Sequence, residues 1–312
     1  MFNIGVDIGG TTIKAGLIGE DFELVRSVSC ATPTGSAELL AHTVAELVRE
    51  LYRSAEDEVS PRIGVTVPGT FDERGVVKRL CNLGLSEVPL AALIKNELGD
   101  TAVITLCNDA DAAALAELKC GGLRGTDTGM VITIGTGIGA GIIIGGRLFK
   151  GGLRRGTELG HAVLKHGGRA CSCGSRGCAE TLCSAAALAA MAETACNERR
   201  GMIYSLYKCG RPIDARLLID CAKAGDEYAV EAFTAYIDAL SDLTASCVNV
   251  FDPQVILIGG GVSAAGEFLL EPLRVKTAEK CFFGSCGVIA AARLGNEAGM
   301  IGAAAAARAL NG

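Results

Sequence analysis

The stretch NIGVDIGGTTIKAGLIG, residues 3–19, decides the fold class, because α/β folds differ in the element that follows such paired glycines. An apolar run enters the turn at Gly9-Gly10, and a β-branched and then apolar run leaves it from Thr11 onward. In a Rossmann or P-loop protein the glycines would open a helix. Here the second run has the composition of a strand. The segment is therefore predicted to be a β-hairpin, with a third strand of the same meander at FELVRSVSC, residues 22–30.

The same layout returns in GMVITIGTGIGAGIIIGGRLF, residues 129–149, as a weak internal repeat with about 130 residues between the copies. Two halves of similar architecture, facing each other across a cleft, are therefore expected. A third glycine turn comes after the buried strand of QVILIGGGVS, residues 254–263. Glycine lets the backbone N–H groups of such turns approach phosphate oxygens closely. The three turns predict a nucleotide phosphate site, with Asp7 as a candidate ligand for Mg²⁺, directly or through water.

The composition indicates an α/β protein with two domains. The 312 residues are 49% hydrophobic, include 42 glycines and are only 4% aromatic, which suits tight turns and close helix–sheet packing. The net charge of −6 and the lack of a basic run argue against a nucleic-acid surface. The sequence shows no signal peptide and no apolar stretch near the roughly 20 residues of a membrane span. We therefore expect a cytoplasmic protein with reduced thiols.

Two polar residues mark the segment AVITLCNDADAAALAELKCGG, residues 102–122, which is predicted as a strand that leads into a helix. Asn108 and Asp109 lie at the junction. Either of them can serve simply as the N-cap of the helix. However, carboxylates at the C-terminal ends of strands in α/β proteins are also where ligand sites gather. In that interpretation Asp109 accepts a proton from a substrate hydroxyl.

The segment CSCGSRGCAE, residues 171–180, carries three cysteines in a glycine-rich loop. A disulfide would need an oxidising compartment, and a redox site would favour the C-x-x-C spacing, which does not occur here. Zinc requires a fourth ligand. His161 is the first candidate, and His166 is the second. A closed site with four protein ligands would be structural rather than catalytic.

Two glutamates flank this loop. Glu158 precedes His161 by three residues, and Glu180 lies two residues after Cys178. Each of them alone would be interpreted as a solvated surface charge. If a metal holds the loop rigid, the two carboxylates are also held, and rigid carboxylates suit bidentate hydrogen bonding to vicinal sugar hydroxyls.

Over essentially its whole length the chain resembles the ROK family (repressor, open reading frame, kinase) of bacterial sugar kinases and sugar-responsive repressors. The resemblance rests on motifs in chain order: DIGGTTIKAG, VPGTFD, NDADAAALAE, GTGIGAGIIIGG, ELGH followed by CSCGSRGCAE, and ILIGGGVS. It implies the actin-like ATPase/hexokinase fold, an α/β architecture with two RNase H-like domains around a central cleft. The expected domains are a smaller one, 1–107 plus 297–312 with a closing C-terminal helix, and a larger ATP- and zinc-binding one, 108–296.

The resemblance also implies a role for individual residues. Asp109 becomes the catalytic base, and the sugar is contacted by Gly69, Asn82, Asn108, Asp109, Glu158, His161 and Glu180. Zinc is held by His161, Cys171, Cys173 and Cys178. ATP is contacted by Asp7, Gly9, Gly10, Thr11, Thr12, Lys14, Thr136 and Gly137 near its phosphates, and by Gly260 and Gly261 near its adenosine.

The activity implied is ATP-dependent phosphorylation of a hexose, with glucose at its 6-hydroxyl as the leading substrate and ATP, Mg²⁺ and structural Zn²⁺ as cofactors. Kinases for N-acetylmannosamine, N-acetylglucosamine, fructose or allose share these motifs. Two departures from the family pattern bear on the sugar. Leu85 stands where many members carry an aromatic residue, and Arg154 and Arg155 stand in a segment that is usually small and apolar.

A sugar-sensing regulator without catalysis is the alternative from another class. Regulators of this family carry a helix-turn-helix ahead of the first hairpin. Asp7 lies seven residues from the start of the sequence, so no such module is expected. The expected partners are a small sugar and a second copy in a homodimer, with no nucleic acid and no membrane.

Overall fold

The computed structural model describes residues 1–55, 59–80, 84–153 and 156–309. Its contacts divide the chain into two compact units. Unit 1 comprises Met1–Thr126, Gly141–Thr157 and Arg293–Gly312, and unit 2 comprises Asp127–Ala140 and Glu158–Ala292. The domain boundaries expected near residues 107 and 296 stay a prediction. None of the described helices is both long and apolar enough to cross a bilayer.

The strands, as far as the chain is described, are β1 (Phe2–Ile8), β2 (Thr12–Ile18), β3 (Leu24–Ala31), β4 (Val59–Val67), β5 (Val77–Leu80), β6 (Leu85–Val88), β7 (Val103–Asn108), β8 (Gly129–Ile134), β9 (Ile138–Ile144), β10 (Arg147–Leu148), β11 (Val255–Gly259) and β12 (Val288–Ala291). The helices of the same residues are α1 (Ala37–Ser54), α2 (Leu90–Leu98), α3 (Asp109–Cys120), α4 (Glu180–Cys183), α5 (Ala185–Asn197), α6 (Gly201–Lys208), α7 (Ala215–Lys223), α8 (Glu227–Phe251), α9 (Glu267–Lys280) and α10 (Ala298–Arg308).

The first sheet has the strand order β3-β2-β1-β4-β7. β1 and β2 form the predicted antiparallel hairpin, in which Asp7 pairs with Lys14, and β3 extends the meander. β4 lies parallel to β1, and β7 lies parallel to β4. The buried apolar residues of these strands pack with one face of α1, whose N-cap is Ser36.

The second sheet has the strand order β10-β9-β8-β11-β12. If the five strands of each sheet are numbered 1 to 5 in chain order, both sheets have the strand order 3-2-1-4-5. In both, the added fourth and fifth strands are parallel to the first. The division of the chain by contacts runs through β9. The internal repeat predicted from the two glycine hairpins is thus confirmed at the level of strand topology.

The closing helix α10 packs unusually closely on its neighbours within unit 1. A Cβ added at Gly64 of β4 would lie 1.8 Å from the carbonyl oxygen of Ala303, and one added at Gly302 would lie 1.9 Å from that of Ala112 in α3. Only glycine at these positions lets the backbones approach so far. The glycine- and alanine-rich composition of the chain is therefore explained here by backbone contact between elements.

Between residues 180 and 292 the chain is mainly helical, and the long helix α8 contacts α4, α5, α6, α7 and α9. Tyr236 of α8 is fully buried, and its hydroxyl donates a hydrogen bond of 2.7 Å to the carbonyl of Cys183 at the end of α4. This bond satisfies the one polar group of a large core side chain. It also fixes the helix after the cysteine loop to the core of unit 2.

Candidate active site and metal centre

The turn between β1 and β2 is held by its own backbone and by Thr32. The N–H of Gly9 donates to the carbonyl of Thr12 at 3.0 Å, and the hydroxyl of Thr32 donates to the carbonyl of Gly9 at 2.7 Å. Gly10 and Thr11 are exposed at the tip of the turn. The turn is therefore a fixed and accessible backbone corner, as a phosphate-binding hairpin requires.

Asp7 lies at the end of β1, directly before this turn. Its side chain is half-buried, and its Oδ1 accepts a hydrogen bond of 2.5 Å from the hydroxyl of Thr66 on β4. The bond orients the carboxylate without neutralising it. A single oriented carboxylate, completed by waters and substrate phosphates, is the usual protein contribution to a Mg²⁺ site.

Asn108 and Asp109 form the junction of β7 and α3, as predicted. Asn108 is the N-cap, since its Oδ1 accepts from the N–H of Ala110 at 2.9 Å, and its Nδ2 donates to the carbonyl of Gly69 at 3.4 Å. Asp109 is exposed, and its Oδ1 also accepts from the N–H of Ala110, at 2.8 Å. The structure thus brings Gly69, Asn108 and Asp109 together. Asn108 is the N-cap of α3, and Asp109 provides an exposed carboxylate.

The turn between β8 and β9 is tied to the segment after the cysteine loop. Oε2 of Glu180 accepts a hydrogen bond of 3.2 Å from the N–H of Ile138, and a Cβ added at Gly137 would lie 2.3 Å from that oxygen. The N–H of Ala185 donates to the carbonyl of Gly135 at 2.8 Å. Thr136 remains exposed at the tip. Glu180, predicted to contact the sugar, is thus positioned by the glycine turn itself.

The cysteine loop gathers a set of metal-binding side chains. One potential ligand atom from each of His161, Cys171, Cys173 and Cys178 lies within 4.8 Å of the others. His161 Nδ1 lies 3.6 Å from Cys171 Sγ, and the Sγ atoms of Cys173 and Cys178 lie 3.7 Å apart. Of the two histidines considered, His161 belongs to this set, whereas His166 is exposed and lies outside it.

The backbone fixes the loop around these four side chains. Val163 pairs with Cys178 as an isolated antiparallel bridge, and the N–H of Ala179 donates to the carbonyl of Ala162 at 2.8 Å. The N–H of His161 donates to the carbonyl of the exposed Glu158 at 3.0 Å. The chain therefore folds back on itself so that the ELGH segment and the last cysteine lie side by side.

The thiols of the set differ in their acidity. Burial is the main cause that raises the pKa of Cys178, to about 11, and hydrogen bonds with the neighbouring cysteines add to it. The pKa of Cys173 is lowered, chiefly because the backbone N–H of Ser175 stabilises its thiolate. A metal ion would bind both as thiolates. Metal binding at this loop must therefore displace at least the proton of Cys178.

Unit 2 also contains a cavity of about 700 Å³ next to two of the glycine turns. Among the predicted residues, Thr136 and Gly261 line it. Its remaining lining comes from α5, α7 and the segment after β11, namely Ala185, Ala186, Ala189, Asp214, Ala215, Arg216, Ile219, Asp220, Lys223, Val262, Ala264 and Ala265. The size is within the range of small-molecule sites.

A known family matches this chain over nearly its whole length. The sequence profile of the ROK family aligns with residues 3–309. The chain belongs to the ROK family. The glucokinase of Thermotoga maritima is 35% identical over 308 residues, which cover 96% of this chain and 95% of that protein.

Solved ROK structures agree over nearly the whole chain. The ROK hexokinase of Thermus thermophilus superimposes with a TM-score of 0.85 at 34% identity and covers 99% of this chain and 98% of its own. The ROK family glucokinase of Streptomyces griseus, solved with glucose and AMPPNP, has a TM-score of 0.81 at 32% identity and 99% coverage of both chains. The predicted family and the actin-like ATPase/hexokinase fold are confirmed.

The predicted ROK site residues are distributed over both units. Unit 1 carries Asp7, Gly9, Gly10, Thr11, Thr12, Lys14, Gly69, Asn108 and Asp109. Unit 2 carries Thr136, Gly137, Glu158, His161, Cys171, Cys173, Cys178, Glu180, Gly260 and Gly261. Asn82 and the arginines at 154 and 155 lie outside the described residues. Leu85, the other departure from the ROK pattern, packs partly buried against the core of unit 1.

The cavity residues of α5 and α7 were not predicted from the sequence. The run SAAALAA, residues 184–190, is typical of an ordinary packed helix, and nothing in it indicates a ligand. The sequence offered only an indirect indication of the cavity. Alanines at helical spacing have small side chains, so a helix that carries them beside a glycine turn can leave space for a ligand. The individual roles of the ROK site residues stay predictions.

Proposed function

We propose that the protein is an ATP-dependent hexose kinase that phosphorylates glucose at its 6-hydroxyl. The observation that carries the reaction type is the exposed carboxylate of Asp109 at the N-terminus of α3, beside Asn108, which is fixed to Gly69. The choice of glucose is supported by the relatives that are named glucokinase and by the ROK glucokinase solved with glucose and AMPPNP.

In the proposed reaction Asp109 accepts the proton of the sugar hydroxyl. The hydroxyl oxygen forms a bond to the γ-phosphorus of ATP, and the bond from that phosphorus to the bridging oxygen breaks to release ADP. The transition state is loose, so orientation of the two substrates contributes most of the rate. Asn108, Gly69, Glu158, His161 and Glu180 are proposed to orient the sugar. Asn82 stays a predicted contact outside the described residues.

The glycine turns are proposed to bind the phosphates of ATP through backbone N–H groups, with Thr11, Thr12, Lys14 and Thr136 as further donors. Asp7 would hold Mg²⁺, which would neutralise phosphate charge when bound. The carboxylate oxygen is a hard ligand of the kind that Mg²⁺ prefers, and Thr66 already orients it. The cavity of unit 2, beside Gly261 and close to Gly260, is proposed to take the adenosine.

Ala186→Trp is expected to raise the KM for ATP by about tenfold or more, because an indole ring would fill part of the proposed adenosine cavity. The KM for the sugar should stay unchanged. Glu193→Trp is the matched control, since Glu193 is exposed on the same helix, two turns further on, and does not line the cavity. Steady-state kinetics with varied ATP measures the effect. A wild-type KM for ATP in Ala186→Trp would contradict this assignment of the cavity.

Structural zinc is the metal that best fits the ligand set. One imidazole and three cysteine sulfurs form a Cys₃His set, which is typical of closed tetrahedral zinc sites. A closed site leaves no position for substrate, so the metal would act as a frame. It would hold His161 and, through the loop end, Glu180. His161 would then have two functions, with Nδ1, which lies 3.6 Å from Cys171 Sγ, on the metal and the other ring nitrogen toward the sugar.

Zinc binding is expected to release at least one proton per chain at pH 7, because the pKa of Cys178 is raised to about 11 in the metal-free loop. A lower pH keeps this thiol protonated, so the apparent affinity should fall by about tenfold per pH unit for each proton displaced. Titration calorimetry of chelator-stripped protein in two buffers of different ionisation enthalpy counts the protons. An affinity independent of pH between about 6 and 8 would contradict thiolate ligation.

A coupled ADP-release assay across hexoses and N-acetylhexosamines tests the proposal. We expect turnover that depends on ATP and is highest with glucose. A preference for N-acetylmannosamine, N-acetylglucosamine, fructose or allose would keep the kinase and change the substrate. Sugar binding without turnover would favour the regulator instead. The homodimer, the lack of nucleic-acid binding and the cytoplasmic location remain predictions.

A further inference from the structure

Glu117 is a buried carboxylate to which the proposed reaction assigns no role. It lies in the last turn of α3, and its relative exposure is 0%. Its Oε1 accepts hydrogen bonds from the backbone N–H groups of Arg293 at 2.6 Å and Leu294 at 2.9 Å. Its Oε2 accepts one from the N–H of Gly122 at 2.6 Å. One side chain thus binds two segments that are far apart in sequence.

Burial of the Glu117 carboxylate costs desolvation free energy unless its oxygens accept hydrogen bonds. No lysine or arginine forms a salt bridge with Glu117 among the described residues. The C-terminal end of a helix carries partial negative charge, which disfavours a carboxylate there. Three short hydrogen bonds to the charged group offset the cost of its burial. An apolar side chain would leave the N–H groups of Gly122, Arg293 and Leu294 without this acceptor, so a side chain with two acceptor oxygens is required here.

The bound segments adjoin two places where the chain passes between the units. Arg293 is the first residue of unit 1 after Ala292 of unit 2, and Gly122 lies four residues before Thr126, the last residue before unit 2. Glu117 therefore holds both of these crossings from the unit 1 side. Asp109 begins the same helix, eight residues earlier, or about 12 Å at the helical rise.

We propose that Glu117 is a positioning residue that couples the two crossings to the helix that carries Asp109. The inference rests on the proposed kinase function, in which Asp109 of unit 1 acts with ATP-binding residues of unit 2. Both connecting segments are thereby bound, within unit 1, to the helix that begins with the proposed base. Loosening them should therefore reduce catalysis, while adenosine should still bind in the cavity of unit 2.

Gly121 provides independent support for this arrangement. A Cβ at this position would lie 2.1 Å from Oε2 of Glu117 and 2.8 Å from its Cα. Any larger residue would push the carboxylate away from the N–H of Gly122. Gly121→Ala therefore disturbs the same hydrogen bonds and leaves the charge of Glu117 in place.

Glu117→Gln is the central test, because glutamine has the same shape but replaces one acceptor oxygen with an NH₂ group. Whichever way the amide is oriented, at least one backbone N–H then faces a donor. We expect kcat to fall by at least about tenfold. The Kd of adenosine, whose proposed cavity lies wholly within unit 2, should stay within about twofold of wild type. Hydrogen exchange at the amides of residues 293 and 294 should become faster.

Thr244→Val is the control for a purely structural loss. It removes the buried hydrogen bond of 2.6 Å between the hydroxyls of Thr244 and Thr277 in unit 2, away from both crossings. Below its melting temperature this variant should keep wild-type kcat and wild-type exchange at residues 293 and 294. Gly121→Ala should reproduce the lower kcat, and it decides the question if Glu117→Gln does not fold.

Two results for folded Glu117→Gln would overturn the proposal. One is a kcat within twofold of wild type, and the other is unchanged hydrogen exchange at the amides of residues 293 and 294. If Glu117→Gln does not fold, the same two results for Gly121→Ala would overturn it. A wild-type protein without kinase activity would instead overturn the proposed function. The exchange measurement would then still test whether Glu117 holds the crossings.

Discussion

Asp109→Asn is expected to lower kcat by about a hundredfold to ten-thousandfold, whereas the KM for the sugar should change by less than about threefold. The amide matches the shape of the carboxylate but cannot accept the proton of the attacking hydroxyl. The loss therefore falls on the chemical step. Binding contacts of the sugar with Asn108 and Glu158, as proposed, are retained.

The local structure should tolerate this change. Oδ1 of Asp109 accepts a hydrogen bond from the N–H of Ala110 at 2.8 Å, and the amide oxygen of asparagine can accept the same bond. The cap of α3 is Asn108, which is unaltered. Asparagine is also well tolerated at the start of a helix. A lower kcat will therefore report on chemistry rather than on unfolding.

Asp100→Asn is the matched control for Asp109→Asn. Asp100 is likewise exposed, belongs to the same unit and lies between α2 and β7, ahead of the end of β7 opposite to Asn108. This variant should keep wild-type kinetics in the coupled ADP-release assay at saturating ATP. Near-wild-type kcat in Asp109→Asn would show that Asp109 is not the base.

Cys173→Ser should abolish stoichiometric zinc binding and, with it, both stability and sugar affinity. We expect the melting temperature to fall by at least about 5 °C and the KM for the sugar to rise by about tenfold or more. The physical reason is that the metal would hold His161 and the end of the loop that leads into Glu180. Without it, both groups lose the frame that orients them.

Cys209→Ser separates loss of the metal from loss of a thiol. Cys173 and Cys209 are both exposed, so burial predicts a small effect for either substitution, whereas only Cys173 belongs to the metal-binding set. Metal content by mass spectrometry, scanning calorimetry and sugar kinetics should distinguish the two variants. If Cys173→Ser loses zinc but keeps its melting temperature and its KM for the sugar, the metal does not orient His161 and Glu180 as proposed.

Local patterns predicted the elements that carry the site. The two glycine hairpins result from strand-forming residues on both sides of each turn, and their repetition indicated two similar sheets before the strand orders were known. The junction at Asn108 and Asp109 is also local, because a strand, a cap and a helix succeed one another along the chain. The sequence left open which of the two residues caps the helix. The structure answers in favour of Asn108, whose backbone is extended with φ −72° and ψ 151°, whereas Asp109 is already the first residue of the helix.

Other features depend on residues that only folding brings together. Both His161 and His166 are close enough in sequence to reach the cysteines. The pairing of Val163 with Cys178 turns the chain so that His161 alone of the two joins the set. The proposed adenosine cavity combines turns with distant helices whose alanines look ordinary in sequence.

The sequence by itself determined the family, the hairpins, the repeat and the three cysteines of the candidate metal set, because each of these is encoded within a short stretch of chain. Only the tertiary structure decided the histidine of the metal set, the lining of the cavity and the role proposed for Glu117. In sequence Glu117 is one charged residue near the end of a helix. Its proposed role depends on hydrogen bonds from the amides of residues 293 and 294. These amides are more than 170 positions away in sequence and reach Glu117 only when the whole chain has folded.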